Sequence, residues 1–196
     1  MVANLATKYH LSEAEYLEGE KTSEIKHEYS EGDVYAMAGA SRNHNIISSN
    51  IARQLGNHLE NTPCTTFVAD MKVKANDAFY YPDVLVVCDD DKGDDYYTEF
   101  PVIIIEVLSN STRGRDKVTK MNAYRTIPTL QEYVLIEQNF VDIEICRRSS
   151  HWQSKHYFLG DKVTFESLEI TLSVESIYQR VVNEEMLELQ RKVVKT

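Results

Sequence analysis

The chain has 196 residues, of which 42% are hydrophobic and 27% charged, as is ordinary for a globular domain. Its 21 basic and 31 acidic residues give a formal charge of −10, which argues against a broad surface that coats nucleic acid. No apolar run has the length of a membrane span and the N-terminus lacks a signal-peptide core, so we expect a cytoplasmic protein without membrane partners. The length and the lack of repeats or linkers predict one domain, residues 1–196.

The N-terminal part predicts a helix followed by a β-hairpin. Ser12-Glu13-Ala14-Glu15 matches a capping box and begins a helix that continues to about Glu18. Residues 26–37 predict two strands about a turn at Glu31-Gly32-Asp33. Glu28 lies on this hairpin, and from the local pattern alone a surface glutamate on an edge strand is favoured.

A second helix is predicted from Ser41 to about Glu60. Its apolar residues recur every four positions and form a buried stripe of Ile47, Ile51, Leu55 and Leu59. His44 continues this stripe at the first turn, where a packed, hydrogen-bonded core histidine is the more common outcome.

The middle of the chain predicts two paired strands and an acidic connection. Residues 64–74 alternate well enough for one strand, in which Asp70 is expected to be exposed. The chain then turns at residues 75–78 into an antiparallel partner over 79–83. Residues 89–99 are acidic and lack the ligand pattern of a calcium loop, so they predict a solvated, mobile connection.

Two apolar strands each carry one carboxylate. Residues 82–87 and 102–108 are rich in β-branched side chains and short, as in strands that are buried on both faces. Asp83 lies in the first and Glu106 in the second. Because an unpaired charge is very costly in an apolar environment, these carboxylates must be paired, protonated or bound to a cation. The two together suggest a metal.

A βαβ unit follows the second of these strands. A helix is predicted over about 117–126 and a strand over 131–137, which makes the flanking strands parallel. Four residues of the helix are spaced so that they share one face, namely Lys117, Lys120, Met121 and Tyr124. If this face packs toward the sheet, Lys120 can reach the strand carboxylates.

The C-terminal part predicts three short strands over 141–147, 151–159 and 162–169 that extend the sheet as a meander. A final helix is predicted from about Val174 to Val194. It packs on the core or forms a homodimer interface, and the sequence leaves both open. The cysteines, Cys64, Cys88 and Cys146, match no metal-ligand spacing and no disulfide framework, so we expect reduced, mostly buried thiols.

The segments YPDVLVV, IIIEVLSNST and RDKVTKMNAYRTIPTLQEYVLIE together resemble the Uma-two endonuclease family, within the PD-(D/E)xK, restriction-endonuclease-like superfamily. The upstream HEYSEGDVYAMAGASRNHNII is also similar to the first part of that family, so the resemblance runs from about Leu11 to the C-terminus. It implies an α/β fold with a restriction-endonuclease-like core. In such a core a mixed central sheet is flanked by helices, and the predicted meander adds a C-terminal antiparallel extension.

The resemblance also implies a chemistry. In the superfamily the Asp and the Glu bind a divalent cation, and a lysine two residues after the Glu helps to activate or orient the attacking water. That position is Leu108 here, which can do neither. The Uma-two pattern also lacks the strand lysine and has one on the next helix, which maps to Lys120. The expected function is therefore a Mg²⁺- or Mn²⁺-dependent endonuclease that acts on nucleic acid, with DNA as the expected partner.

Specific roles follow from this resemblance. The metal ligands would be Asp83, Glu106 and the backbone carbonyl of Val107, with Lys120 holding the water or stabilising the transition state. The acidic position Glu28 and the histidine His44 would assist from the rim. Tyr124 would bond Lys120 or Glu106, or serve only as a core tyrosine. The basic side chains beside the site could contact phosphates or simply be solvated, namely Arg113, Arg115 and Lys117.

Two alternatives stay open at this point. One is a catalytically inactive module of the same fold that binds nucleic acid or another protein, which Leu108 and the acidic composition favour. The other is a structural ion pair between the two strand carboxylates and Lys120 without any metal.

Overall fold

The computed structural model describes residues 10–88 and 93–193. The strands in this part of the chain are β1 His27–Ser30, β2 Asp33–Ala36, β3 Cys64–Val68, β4 Lys72–Ala75, β5 Ala78–Tyr80, β6 Val84–Cys88, β7 Tyr97–Thr98, β8 Pro101–Leu108, β9 Glu132–Glu137, β10 Ile143–Arg147, β11 Ser154–Tyr157, β12 Lys162–Phe165 and β13 Ile170–Ser173. The α-helices are α1 Glu13–Glu20, α2 Arg42–Leu59, α3 Met121–Tyr124, α4 Val174–Ile177 and α5 Glu184–Val193, and a π-helical turn, Arg115–Lys120, leads into α3. None of the helices in the described residues is long and apolar enough to cross a membrane.

The strands form a mixed α/β fold with a six-stranded central sheet. Its order is β11-β10-β9-β8-β6-β3, and β8 and β9 run parallel as the predicted βαβ unit requires. A second sheet has five strands in the order β2-β1-β5-β4-β7. The predicted fold class, a mixed central sheet flanked by helices with an antiparallel C-terminal extension, is confirmed.

The middle strands of the central sheet, β6, β8 and β9, are buried on both faces because each face is covered. The stripe of α2 predicted from its four-residue spacing packs on one face with Val84, Val86, Ile103 and Ile105. Tyr124, Ile127 and Leu130 cover the other face with Leu85, Ile104 and Leu108. Since side chains alternate along a strand, Glu106 projects from the face of Ile104 and Leu108, toward Tyr124.

The predicted N-terminal helix and hairpin and the start of the second helix are confirmed. Ser12 caps α1 in a capping box with Glu15, and Ser41 caps α2 through the backbone N–H of His44. The predicted hairpin is β1 and β2, and its turn places Glu31 and Gly32 at positive φ of 52° and 86°. Such angles suit a two-residue hairpin turn, whose twist matches that of the flanking strands.

The single strand predicted over residues 64–74 is wrong, because the chain changes sheets within it. Ala69 has φ of 58°, a left-handed conformation that ends β3, and its N–H donates to the carbonyl of Asp83. β3 then pairs with β6 in the central sheet, while β4 pairs with β5 in the other. Asp70 at this crossing is exposed, as predicted, and pairs with Lys26.

The acidic connection differs from its prediction as well. Residues 89–92 lie outside the described residues. Within the rest, Tyr97–Thr98 forms β7, which pairs in parallel with β4 through Lys72 and Val73. The end of the acidic connection is therefore held in place by its backbone pairing with β4.

The C-terminal meander and final helix are only partly as predicted. β10 and β11 extend the central sheet, but β12 pairs with β13 in a separate two-stranded sheet, because a left-handed residue, Glu169, turns the chain back at once. The final helix is divided into α4 and α5, and Arg180 between them has φ of 69°. Val194, the last predicted residue of that helix, lies outside the described residues.

The expectation of three reduced cysteines is wrong for two of them. Cys64 of β3 and Cys88 of β6 are directly paired across the ladder, with Cα atoms 3.9 Å apart, and form a disulfide. Cys146 is free and buried. The pairing could not be found from sequence, because it depends on the register of two strands whose cysteines are 24 residues apart.

We expect one reactive thiol in the protein purified without reductant and unfolded in guanidinium, and three after reduction. Titration with a thiol reagent measures both numbers. Closing a loop of this length should stabilise the fold by about 3 kcal/mol, so reduction should lower the unfolding midpoint. Three thiols in the unreduced protein would contradict the disulfide.

Candidate active site

The two strand carboxylates lie next to each other at the seam between the sheets. Val84 pairs with Ile105 in the antiparallel ladder of β6 and β8, so Asp83 and Glu106 follow at adjacent positions. Asp83 precedes β6, where the chain arrives from β5 in the other sheet. The strand register therefore brings the predicted pair together.

Asp83 is held by hydrogen bonds to one of its oxygens. Oδ2 accepts from the backbone N–H of Val107 at 2.7 Å and lies 3.1 Å from Nε2 of His44. His44 is brought there by the first turn of α2, which packs across the same sheet. The predicted histidine therefore contacts the site through a carboxylate rather than serving only as a core residue.

Lys120 is the centre of the site. Its Nζ lies 2.8 Å from Oε1 of Glu28, 3.0 Å from Oε1 of Glu106 and 3.1 Å from Oδ1 of Asp116. The residue is 5% exposed and all three acidic residues are buried. The predicted reach from the helix is confirmed for Glu106 but not for Asp83, and the ammonium joins the π-helical turn to both sheets.

Glu28 is a buried member of this cluster, so its interpretation as a surface glutamate is wrong. Its exposure is 4%, and it also accepts from the backbone N–H of Tyr81 at 3.3 Å. Its other oxygen, Oε2, is 3.1 Å from a guanidinium nitrogen of Arg115. The hairpin thus places the carboxylate of Glu28 between the charged groups of Lys120 and Arg115.

Tyr124 contacts the cluster and also packs in the core. Its hydroxyl donates to Oε1 of Glu106 at 3.2 Å, and its ring contacts Tyr80 and Tyr133 edge-on. Burial, and then the charge of Glu106, raises the pKa of Tyr124 well above its ordinary value. The hydroxyl therefore stays protonated and acts as a donor.

The charges of the cluster follow from burial and from its composition. Burial raises the pKa of Glu106, and the ammonium of Lys120 only partly opposes this effect. Burial by itself lowers the pKa of Lys120, but Glu106, Glu28 and Asp116 more than offset it, so the pKa lies above its ordinary value. Because several carboxylates face it, Lys120 stays a cation even where Glu106 binds a proton.

The helix that carries Lys120 departs from the predicted geometry. The backbone N–H of Met121 bonds to the carbonyl of Asp116, five residues earlier, as in a π-helix. This wider turn separates Lys117 from the face of Lys120 and Tyr124. Lys117 instead pairs with Glu144 of β10 at 2.9 Å.

The basic residues predicted to contact phosphates are each paired with an acidic side chain. Arg113 lies 2.5 Å from Glu137, and Arg115 and Lys117 have the partners given above. Arg115 contacts the cluster through Glu28, whereas the partners of Arg113 and Lys117 lie outside the cluster. Their contact with phosphate stays a prediction.

Asp116 was missed by the sequence analysis. It is buried, and its carbonyl accepts from the hydroxyl of Tyr133 at 3.1 Å. Its spacing of four residues from Lys120 is the usual separation of an ion pair on a helix and could have identified it. It went unnoticed because its neighbours in sequence are polar and suggest a solvated loop.

The donor set of Asp83 and Glu106 fits a hard divalent cation. Both contacts of Asp83 use Oδ2 and both contacts of Glu106 use Oε1, so these contacts leave Oδ1 and Oε2 for another partner. Carboxylate oxygens suit Mg²⁺, which normally keeps several waters. No group of three or more His, Cys, Asp or Glu in residues 10–88 and 93–193 is placed to hold a metal, so a cation here would rely on two side chains, backbone and water.

A mixed central sheet flanked by helices, with an aspartate and a glutamate at adjacent positions of neighbouring strands, matches the restriction-endonuclease-like fold. A solved structure described as a putative nuclease belonging to DUF820, from Anabaena variabilis, has this fold with a TM-score of 0.68. The likeness covers 82% of this chain and 93% of that one at 17% identity, and shows the fold alone.

The family follows from sequence. The profile of the Uma2 family, described as "Putative restriction endonuclease", matches residues 13–175, and the chain belongs to this family. Two uncharacterized Synechocystis sp. proteins are similar over most of their length. The protein slr1290 is 33% identical, covering 86% of this chain and 92% of the relative, and sll1609 is 36% identical, covering 88% and 98%. The predicted family membership is confirmed.

Replacing Lys120 by methionine should destabilise the fold by about 3–5 kcal/mol, because it leaves buried carboxylates without their cation. The pKa of Glu106, already raised by burial, should rise further. A raised pKa in the folded state favours folding at low pH, so the loss should be smaller at pH 5 than at pH 7. Guanidinium unfolding of the wild type and the variant at both pH values measures this loss of stability.

Lys117→Met is the matched control, since its pair with Glu144 is partly exposed and should contribute about 0–1 kcal/mol. Equal destabilisation by the two substitutions, or a loss at Lys120 that does not depend on pH, would show that the carboxylates are not coupled to this ammonium.

Proposed function

We propose that the protein is a Mg²⁺-dependent endonuclease that hydrolyses phosphodiester bonds of nucleic acid, with DNA as the expected substrate. The observation that carries the proposal is the meeting of Asp83, Glu106 and a buried, protonated Lys120 at one end of the central sheet. Mn²⁺ has similar ligand preferences and is expected to substitute for Mg²⁺.

Asp83 and Glu106 would hold the cation, together with the backbone carbonyl of Val107. A divalent cation there would neutralise charge on the scissile phosphate and lower the pKa of a bound water. Oδ2 of Asp83 is fixed by Val107 and His44, so its other oxygen has a defined direction. His44 would thus act by orienting Asp83.

Lys120 would supply positive charge where negative charge develops. Because its pKa is raised, it is a poor proton acceptor and would act as a hydrogen-bond donor to the attacking water or a phosphate oxygen. Glu28 and Asp116 would fix its direction, and Tyr124 would fix Glu106. Arg113, Arg115 and Lys117 would contact phosphates only after exchanging their present carboxylate partners.

An inactive binding module is the second candidate function. The observation that favours it is that Lys120 is fully surrounded by carboxylates, which would also be expected of a structural ion cluster. The two functions differ in catalysis. Only the endonuclease has a cleavage rate that removal of a carboxylate can lower.

We expect purified protein to nick supercoiled plasmid or cut single-stranded DNA in Mg²⁺ or Mn²⁺ and to be inert in EDTA. Glu106→Gln and Asp83→Asn should abolish cleavage because each removes a metal-binding charge. Lys120→Gln should lower the rate by about 10²- to 10³-fold, as the loss of a preorganised donor does. Gel electrophoresis of time courses measures each rate.

Glu132→Gln is the matched control for loss of a buried carboxylate. Glu132 lies on β9 beside β8, but it pairs with Arg147 at 3.0 Å and accepts from Ser167. This variant should cleave like the wild type once folded. Activity that survives Glu106→Gln would show that the cleavage does not depend on this carboxylate site. A folded wild type that is inert on every substrate would refute the endonuclease and favour the inactive module.

A further inference from the structure

The outer hairpin places an exposed tyrosine next to the site. β2 is an edge strand, and its Tyr35 is directly paired with Glu28 of β1. Directly opposed residues of an antiparallel pair project from the same face, so Tyr35 lies on the face that carries Glu28 to Lys120. Glu28 is buried, whereas Tyr35 is 44% exposed.

Arg115 connects this ring to the cluster. Its guanidinium carbon lies 4.2 Å from the ring centroid of Tyr35, while one of its nitrogens is 3.1 Å from Glu28. The guanidinium therefore covers one face of the ring and fixes it by a cation–π contact. The exposed part of the ring is available to a second planar group, and Glu28 contacts both Arg115 and Lys120.

The basic side chains on the loop and turn that carry Lys120 are occupied by carboxylates. Affinity for duplex DNA comes largely from unpaired Lys and Arg that neutralise phosphates. In the described part of the chain, Arg113, Arg115, Lys117 and Lys120 all have carboxylate partners. The chain as a whole carries a formal charge of −10. Stacking of a base on an aromatic ring, by contrast, does not require an unpaired cation.

We propose that Tyr35, held against Arg115, is a stacking platform for an unpaired nucleobase, and that the substrate of the site is nucleic acid with an unpaired strand at the cleavage point. The second part of this inference rests on the proposed nuclease function. Inside a duplex both faces of a base are covered by neighbouring bases, so a lone surface ring can stack only on an unpaired or flipped base. Single-stranded DNA and RNA share this chemistry.

Binding can be measured without cleavage by fluorescence anisotropy in EDTA. The probes are a short labelled DNA strand, an RNA strand of the same sequence and the DNA duplex. We expect the full chain to bind a single strand more tightly than the duplex. Tyr35→Ala should weaken single-strand binding by about 5- to 100-fold, which is the effect of losing one stacked base, and Tyr35→Phe should preserve it.

Phe100→Ala is the matched control for loss of an exposed ring. Phe100 is 39% exposed and directly precedes β8, at the opposite end of that strand from Glu106, roughly 20 Å away at the usual rise per residue. Its loss should leave binding unchanged. Equal weakening by both alanine variants, tighter binding of the duplex, or no effect of Tyr35→Ala would overturn the platform.

The cleavage assay separates this inference from the proposed function. Protein that cuts nucleic acid but binds strands independently of Tyr35 would refute the platform and leave the nuclease. Protein that binds strands through Tyr35 but never cuts would support the platform and refute the nuclease. The more tightly bound single strand, DNA or RNA, shows which of the two the platform prefers.

Discussion

The ammonium of Lys120 is buried among carboxylates that come from separate parts of the chain. Glu28 comes from the hairpin, Glu106 from the central sheet and Asp116 from the π-helical turn. Each of these carboxylates would be costly to bury alone, and so would the ammonium. The cluster is therefore stable only as a set, and the hairpin, the sheet and the turn must dock together for any of its members to be buried.

This mutual dependence links folding and chemistry. A cluster that is stable only when complete places its charged groups within narrow limits, and preorganised charge is what an electrostatic catalyst needs. The same cluster also supports a purely structural interpretation, because a satisfied ion network has no need of a metal. What distinguishes the site is its position at the seam of two sheets, with Asp83 held separately by Val107 and His44.

Much of the fold could be predicted from local pattern. The capping box at Ser12, the stripe of α2 and the strands around Asp83 and Glu106 depend on nearby residues. The spacing of Lys120 correctly indicated its contact with Glu106, but Asp83 has other partners. Other features depend on long-range register. The disulfide of Cys64 and Cys88 required the pairing of β3 with β6. The π-helical turn directs Lys117 toward Glu144. This turn depends on packing against the sheet, which the spacing of apolar residues in the sequence does not describe.

The change of sheets at Ala69 and Asp83 has a mechanical consequence. Glu28 belongs to the five-stranded sheet and Glu106 to the six-stranded sheet, and both lie at Nζ of Lys120. Because these carboxylates come from different sheets, a shift of one sheet against the other would change the distance of Lys120 from one of them. Lys120 therefore links the two sheets, and a displacement of the outer hairpin would alter the position of Glu28 at this ammonium.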